Sequence, residues 1–500
     1  MRGGSHSPML DLYEFQKADV EKSLQQIAVL NGSDMGVGKT LVAIETMKQW
    51  REDVFRETGM WLPILIVTPQ NTFESWANKL DMQVPQWTYH VLNRTTQGRE
   101  DFITKIAILK YDIYICNYES MRVMQPRFNK EGFVFSIVCA DEVHAISNRK
   151  AKQTLALKSI RTHRKLAMSG TASGTKPWNL WSILNWLWPT YYTSYWTFIR
   201  KYCVTNLKDK DFQRLETKER SSGYVKIYDI KDEDLLHYEI YPFYIRHNKK
   251  TPCCPEHPHG VMDYLPDKNY EKLYVDLTHT QRKIYDEMMS QMVAWVGEQE
   301  ETPFIASIAL TKMMRLMQTT LATPEVRWEI DENGNRVQVV DLIDPSPKID
   351  LVEQIILENE DENYIVYTQS KKAANLCGNR LREAGVAVRV LSGDTPKNER
   401  ASFVSDFQSR KIRVIVAIIR ASEGFDGLQD VCSTIIFLNR DLSAFKNQQA
   451  EDRLHRQGQK NPVTVIDIIA RDTLDEERLD LDAANWQMIL KMLDVKRSAA

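Results

Sequence analysis

Two successive series of short, almost entirely apolar segments constrain what this chain can fold into. In the first half these segments occupy residues 64–67, 113–116, 135–139 and 165–168. In the second half they occupy residues 364–367, 386–391, 414–417, 435–438 and 463–469. Such continuous apolar runs are typical of strands that are buried on both faces of a parallel sheet. Helical patterns lie between most of them, so the sequence predicts an α/β protein with two lobes.

The region between the two series differs in character. Aromatic residues cluster at 191–196, a charged helical pattern covers 281–295, and a turn signal at 331–335 predicts a hairpin. A proline-rich segment at 252–258 is the predicted hinge. The predicted division is an expression-tag remnant at 1–8, a first lobe at 9–190, its helical insertion and linker at 191–264, the entry and insertion of the second lobe at 265–345, and the second lobe at 346–500.

Composition excludes some classes of protein and leaves others open. No apolar run approaches the length of a membrane span, so we expect no membrane partner. The seven cysteines are scattered, several within apolar runs, which favours reduced, buried thiols in the cytosol. The net charge of -2 gives no sign of nucleic-acid binding, which would need a local basic track. Candidate tracks are residues 161–165, 246–250, 371–372 and 410–413, although each such run is more often a solvated charged face than a binding patch.

A phosphate-binding loop is indicated directly before an apolar helical pattern that starts at Leu41. Glycines at 36 and 38 would let backbone amides approach phosphates, Lys39 would reach the terminal phosphates, and Thr40 would offer a hydroxyl to Mg²⁺. Ser33 stands where such loops usually begin with glycine. The residues predicted to bind the nucleotide here are Met35, Gly36, Val37, Gly38, Lys39 and Thr40.

A pair of carboxylates follows the apolar strand that ends near Ala140. Ligands bind at the carboxyl ends of parallel strands, and Asp141 lies at such an end. We expect Asp141 to hold Mg²⁺ and Glu142 to orient and deprotonate the attacking water. The alternative is an ordinary surface pair of acids, which the preceding buried strand disfavours.

Hydrolysis of a nucleotide also needs a cation on the transferred phosphoryl group. Arg453 and Arg456 are three residues apart, so on a helix they would share a face. Because they lie in the second half, they could complete a site that begins in the first. Taken alone, they could be ordinary surface arginines.

With these residues in place, the chain resembles the Swi/Snf-like, chromatin-remodeller-related branch of the superfamily 2 helicases from about residue 10 to 480. The most specific match is Gln449, Ala450, Arg453, His455, Arg456, Gly458 and Gln459. Further matching segments occur in the expected order at 12–16, 63–69 with Trp76, 111–119, 169–172, 180–184, 242–246, 265–268 with Gln281 and Tyr285, 367–369, Gly393 with Arg400, 424–426 and 472–476.

This resemblance implies two RecA-like lobes that face each other across ATP and Mg²⁺, and an ATP-dependent translocase on double-stranded or branched DNA. It implies that Gln16 reads adenine and that Gly424 and Asp426 contact the nucleotide. It also implies DNA contacts, for which plain strand-end capping is the alternative. These residues are Thr68, Gln70, Thr171, Gln369 and Ser370.

The resemblance further implies a monomer in the cytoplasm of a bacterium or a phage-infected host. The sequence does not identify a protein partner. A strand-separating DNA or RNA helicase and an ATP-switched binding scaffold remain alternatives; the full catalytic set argues against the scaffold.

Two weaker signals stay open. Cys253, Cys254, His257 and His259 fit no standard zinc pattern, so a plain hinge loop is favoured. The tryptophan-rich stretch at 178–196 could stack on bases, but a packed helix face is favoured.

Overall fold

The chain forms two compact units in the computed structural model, one ending at Asp263 and the other beginning at Tyr264. The structure describes residues 11–92, 111–170, 177–208, 212, 225–251, 257–291, 293–296, 302–305, 309–331, 334–421 and 427–480. Among these residues, no helix is both long enough and apolar enough to cross a membrane.

The first unit is built on a seven-stranded sheet in which all neighbouring strands are parallel. Its strands are β1 (Ala28–Asn31), β2 (Ile64–Val67), β3 (Tyr89–Val91), β4 (Ile113–Cys116), β5 (Phe135–Asp141), β6 (Thr162–Met168) and β9 (Tyr244–Ile245). The order across the sheet is β3-β4-β2-β5-β6-β1-β9. A separate antiparallel pair joins β7 (Cys203–Thr205) to β8 (Ile227–Ile230).

Helices connect these strands as the parallel topology requires. They are α1 (Glu14–Leu24), α2 (Lys39–Thr58), α3 (Phe73–Gln83), α4 (Tyr118–Lys130), α5 (Lys152–Ser159), α6 (Leu180–Leu187), α7 (Tyr195–Tyr202) and α8 (Glu233–Ile240). Every residue of β2 and β4 is buried, which explains their uniformly apolar sequences. Trp50 of α2 and Trp76 of α3 complete the same core.

The second unit repeats this plan with a six-stranded parallel sheet. The strands are β10 (Lys268–Val275), β15 (Tyr364–Thr368), β16 (Val388–Leu391), β17 (Val414–Ile418), β18 (Thr434–Phe437) and β19 (Val463–Ala470). Their order across the sheet is β10-β19-β18-β15-β17-β16. The helices are α9 (His279–Gln291), α10 (Ala309–Leu321), α11 (Pro347–Glu358), α12 (Lys371–Glu383), α13 (Lys397–Gln408) and α14 (Ala444–Glu451). Two hairpins pair β11 (Val293–Val296) with β12 (Thr302–Ile305), and β13 (Thr323–Ile330) with β14 (Arg336–Ile343).

The predicted α/β class with two parallel sheets is confirmed, and a strand occupies each of the nine apolar segments. The hairpin around 331–335 is also confirmed. The helix expected over 281–295 was wrong at its end. It stops at Gln291, because the apolar segment Val293–Val296 forms ladder hydrogen bonds with Thr302–Ile305 instead.

The five cysteines within the described residues are free and buried, as predicted. Burial raises the pKa of the Cys432 thiol to about 12, so this sulfur stays protonated and unreactive near neutral pH. Cys253 and Cys254, and most of the predicted hinge, lie outside the described residues.

The contact between α12 and β16 yields a test of packing. A Cβ atom on Gly378 would overlap Cγ2 of Val390. We therefore expect Gly378→Ala to destabilise the second unit by roughly 1–3 kcal/mol through overpacking, even though alanine favours helices by about 1 kcal/mol. Denaturant unfolding followed by fluorescence measures this change.

The double variant Gly378→Ala with Val390→Ala provides the control, because it removes the overlapping methyl group. It should be more stable than additivity of the two single variants predicts. If Gly378→Ala alone unfolds at a higher denaturant concentration than the parent chain, the packing described here is wrong.

Candidate functional site

The loop between β1 and α2 has the backbone that phosphate binding requires. Gly36 and Gly38 both adopt a φ of 86°, a left-handed conformation that glycine tolerates and other residues resist. Gly38 is constrained twice, because a Cβ atom there would also overlap the amide of Gln16. α2 begins directly at Lys39, so the unpaired amides of its first turn lie beside the loop.

The Lys39 ammonium is held by the loop itself. Its Nζ donates to the carbonyls of Ser33 (2.7 Å) and Asp34 (2.8 Å). Burial lowers the pKa of Lys39 to about 8, while the nearby carboxylates of Glu142, Asp34 and Asp141 act in the opposite direction. The predicted phosphate-binding lysine and the predicted acidic pair therefore lie within electrostatic reach of one another.

The segment after β9 fastens this loop in place. Nη1 of Arg246 donates to the Gly32 carbonyl at 2.6 Å and lies 3.1 Å from Oδ1 of Asp34. The backbone amide of Lys249 donates to Oδ2 of Asp34 at 3.0 Å. Arg246 and Lys249 are only 8% and 4% exposed, so the candidate basic track at 246–250 is not a solvated face. The charge of Arg246 lies on the phosphate loop instead.

Asp141 lies at the end of β5, as expected, and both of its carboxylate oxygens accept hydrogen bonds. Oδ2 accepts from the indole of Trp76 (2.9 Å) and the hydroxyl of Thr68 (3.0 Å), and Oδ1 accepts from the amide of Glu142 (2.9 Å). Burial, followed by the charge of Glu142, raises the pKa of Asp141, whereas the two side-chain donors lower it. Trp76 and Thr68 thus favour the ionised carboxylate that a metal ion would need.

Glu142 is held in an unusual conformation. Its φ is 48°, in the left-handed region that residues with side chains seldom occupy and that tends to occur at functional sites. Its Oε2 accepts from Oγ of Ser169 at 3.3 Å and lies 3.2 Å from Nδ1 of His144. Nδ1 of His144 and Oγ of Ser169 are themselves 3.2 Å apart. The predicted general base is therefore positioned by side chains from two segments.

Gln16 is 2% exposed and already engaged with the phosphate loop. Its Nε2 donates to the Val37 carbonyl at 2.9 Å, and its Oε1 accepts from the amide of Tyr13 at 3.0 Å. Thr68 is fully buried with its hydroxyl on Asp141, so the structure gives it a role in positioning that carboxylate. Gln70 begins a single-turn helix (Gln70–Thr72) and is partly exposed. The DNA contacts of Thr68 and Gln70 stay predictions.

In the second unit, the candidate DNA contacts lie at the end of β15. The hydroxyl of Ser370 caps α12 by accepting from the amide of Ala373 at 3.2 Å. The amide of Gln369 donates to Oδ1 of Asn439 at 3.0 Å, and its side chain donates to the Arg440 carbonyl. Strand-end capping, the alternative role of these residues, is present, and DNA binding by them stays a prediction.

The expectation that Arg453 and Arg456 share a helix face was wrong, because α14 ends at Glu451. The chain continues in turns, since two side chains bond to other strands and loops. Nε2 of His455 lies 2.9 Å from the Pro266 carbonyl, and Nε2 of Gln459 donates to the Cys432 carbonyl at 2.9 Å. Both arginines remain partly exposed.

Buried charges anchor this arginine segment at its start. The Glu451 carboxylate accepts from Nζ of Lys268 (3.0 Å), the hydroxyl of Tyr270 (2.8 Å) and Nη1 of Arg440 (2.8 Å). Arg440 in turn pairs with Asp467. Every charge in the group has a partner, as burial of such a network requires.

Three predicted site residues, Thr171, Gly424 and Asp426, lie outside the described residues. Sequence reasoning missed three contributions that the structure reveals: the donors on Asp141, the support of Glu142 by Ser169, and the fastening of the loop by Arg246. Each joins positions far apart in sequence. Their only sequence signal was that all of these side chains lie inside segments already matched to the Swi/Snf-like pattern.

Comparison with protein families agrees with this geometry. Residues 20–324 match the family described as SNF2-related domain, and residues 347–458 match the helicase conserved C-terminal domain. The first match contains the phosphate loop and the acidic pair, and the second contains both arginines.

Individual relatives share under a quarter of their residues with this chain and are longer than it is. The chain is 23% identical over 470 residues to the nuclear protein STH1/NPS1 of Saccharomyces cerevisiae, covering 91% of this chain and 33% of that protein. It is 23% identical over 458 residues to the ATP-dependent DNA helicase DDM1 of Arabidopsis thaliana, covering 89% and 57%. The chain thus spans a third of one relative and just over half of the other.

A solved structure, the Sulfolobus solfataricus SWI2/SNF2 ATPase core in complex with dsDNA, is also similar. It is 20% identical, with a TM-score of 0.41, and the match covers 99% of this chain and 100% of that one.

The donors on Asp141 generate a prediction for Trp76→Phe. This change keeps an aromatic ring but removes the indole N–H, so the ionised Asp141 loses a hydrogen bond and its pKa rises. We expect the acid limb of any nucleotide-hydrolysis pH profile (kcat/KM) to move to higher pH by about one unit. Steady-state hydrolysis assays at a series of pH values measure this shift.

Trp50→Phe is the matched control. Trp50 belongs to the same core, but its indole nitrogen has no hydrogen-bond partner among the described residues. It should leave the acid limb in place. Equal shifts in both variants would mean that loss of core packing, and not loss of the donor to Asp141, causes the effect.

Proposed function

This chain belongs to the SNF2-related family of helicase-like ATPases, and on that premise we propose that it is an ATP-dependent translocase that moves on duplex or branched DNA. Movement along DNA would remodel the DNA or displace proteins bound to it. The relative DDM1 carries the name of an ATP-dependent DNA helicase, which supports a nucleic-acid substrate for this chain as well.

One observation carries the hydrolytic part of the proposal. The Lys39 ammonium, held by two loop carbonyls, lies within electrostatic reach of Asp141 and Glu142. A cation that contacts phosphates and a carboxylate pair that serves metal and water are the elements that hydrolysis of a nucleoside triphosphate needs. Gln16 donates to the Val37 carbonyl and so contacts the phosphate loop, and we propose that it also contacts adenine.

The protein would contribute mainly orientation and proton transfer. The loop amides and Lys39 bind the phosphates, and a Glu142 carboxylate oxygen takes the proton of the attacking water. Ser169 and His144 hold that carboxylate in position. Arg453 and Arg456 supply positive charge to the transferred phosphoryl group, a role worth roughly 10³–10⁵ in rate.

The donor set fits Mg²⁺ better than a metal held by protein alone. Mg²⁺ keeps several waters and binds through one or two carboxylates together with substrate phosphates. Asp141 and the Thr40 hydroxyl offer such a partial set, and the described residues contain no cluster of three or more His, Cys, Asp or Glu suited to a metal. When bound, Mg²⁺ would neutralise charge on the β- and γ-phosphate oxygens.

The nucleic-acid dependence of hydrolysis tests the function as a whole. We expect duplex or branched DNA to raise the ATPase rate over the basal rate more than single-stranded DNA or RNA does. The measurement is steady-state phosphate release with each nucleic acid. Stimulation confined to single strands or RNA would favour a strand-separating helicase. No stimulation by any of them would contradict the motor.

Glu142→Gln is the matched variant in this experiment, because it keeps the size of the side chain and removes its basicity. It should bind ATP normally while turnover falls by at least roughly 10²-fold. Glu131→Gln, an exposed residue at the end of α4, should behave like the parent chain.

For Arg456→Ala we expect nearly unchanged nucleotide affinity and a hydrolysis rate lowered by roughly 10³-fold, because the charge acts on the transition state. Equilibrium binding of a fluorescent nucleotide and single-turnover hydrolysis separate the two effects. Arg382→Ala, on α12, is the arginine control. An unchanged rate in Arg456→Ala would remove this residue from the proposed catalytic set.

A further inference from the structure

A cavity of about 320 Å³ opens on the first unit beside the turn that follows Glu142. Its lining includes Asn148, Arg149, Lys150, Trp178, Trp181 and Tyr195. We call it the basic cavity. It combines residues of the loop after the acidic pair with the tryptophan-rich stretch, for which the sequence left base stacking and core packing open.

The cations of the basic cavity have no acidic partner in the described part of the chain. Among the described residues, no carboxylate forms an ion pair with Arg149, Lys150 or the neighbouring Lys158, and none of the residues that line the cavity is acidic. Burial, reinforced by the charge of Arg149, lowers the pKa of Lys158 to about 8. An uncompensated group of positive charges in a concave site favours an anionic ligand.

The aromatic rings position these cations. The Arg149 guanidinium lies over the Tyr195 ring, 4.4 Å from its centroid, and Nζ of Lys158 lies 4.8 Å from the centroid of the Trp181 ring. Nζ of Lys158 also donates to Oδ1 of Asn185 at 2.7 Å. Because cations already cover faces of both rings, a base would have to displace them in order to stack there. The chemistry therefore suits a phosphate group better than a base.

The wall of the basic cavity is tied to the turn that carries the catalytic glutamate. Oγ of Ser182 donates to the Ile146 carbonyl at 2.7 Å, and Nε2 of Gln153 donates to the Ala145 carbonyl at 2.5 Å. The Thr154 hydroxyl donates to the Asn148 carbonyl at 2.8 Å. A ligand held by Arg149 would therefore bear on the short helix Val143–Ile146, which starts directly after Glu142.

We propose that the basic cavity binds a phosphodiester group of the nucleic-acid backbone through Arg149 and Lys150, without reading sequence, and that this contact contributes to stimulation of hydrolysis. The inference rests on the proposed function, because it names a contact of the same nucleic-acid substrate. Backbone contacts of this kind set the position and orientation of a protein on its nucleic acid.

The test is the double variant Arg149→Ala with Lys150→Ala, compared with Lys130→Ala and Lys152→Ala, which removes two exposed lysines outside the cavity lining. We expect the cavity variant to bind a fluorescent DNA duplex roughly tenfold more weakly. The slope of log affinity against log salt should fall by about 1–2, one unit for each lost phosphate contact. An abasic duplex should bind like the intact one.

Basal hydrolysis and the thermal midpoint should stay unchanged in both double variants, which shows that the variants fold. Equal duplex affinity and salt slope in the cavity variant and its control would overturn the inference. So would loss of inorganic pyrophosphate binding without any loss of duplex binding, since the cavity would then bind free phosphates. Duplex binding that depends on Arg149 in a chain whose hydrolysis ignores DNA would support the binding site, but would contradict both the motor and the contribution of the contact to stimulation. Absence of duplex binding by the parent chain would overturn both.

Discussion

The ion pair between the buried Arg246 and the partly exposed Asp34 is the contact on which the phosphate loop of the first unit depends. It joins the phosphate loop, near the start of the chain, to the segment that follows the last strand of the sheet. Removal of Asp34 would leave the Arg246 guanidinium buried without this carboxylate, which would weaken the attachment of the loop. The same loop holds the Lys39 ammonium within electrostatic reach of the acidic pair.

The acidic pair at the end of β5 is partly buried, although metal binding requires a charged carboxylate there. Burial disfavours ionised Asp141, yet metal binding requires it, and the indole of Trp76 and the hydroxyl of Thr68 resolve the conflict by donating to the charged form. Glu142 adopts a strained φ, which Ser169 and His144 support through its carboxylate.

The sequence was most informative where one local property decided the structure. Uniformly apolar strands such as Ile64–Val67 and the glycine-rich loop before Lys39 could be recognised because burial and backbone freedom restrict residue type directly. It was least informative where distant partners decided. α14 stops at Glu451 because the side chains of His455 and Gln459 bond to remote carbonyls, and no local pattern announces that. The proposed domain boundaries and the DNA contacts remain predictions for the same reason, since they depend on contacts that one chain's sequence does not encode locally.

The strand β10 was also hidden from sequence inspection, because half of its residues are charged or polar and most are exposed. It pairs along its whole length with β19, so Lys268 pairs with Val463, a residue close to the end of the second unit in sequence. During synthesis on the ribosome, the first unit can complete its sheet once Ile245 has emerged, whereas β10 must wait until almost all of the second unit has been made. An apolar strand that stayed unpaired for that interval would tend to aggregate with other nascent chains. β10 is not apolar, and its lysines oppose pairing with another chain. The polar sequence that makes β10 hard to recognise as a strand thus protects the chain from aggregation during synthesis.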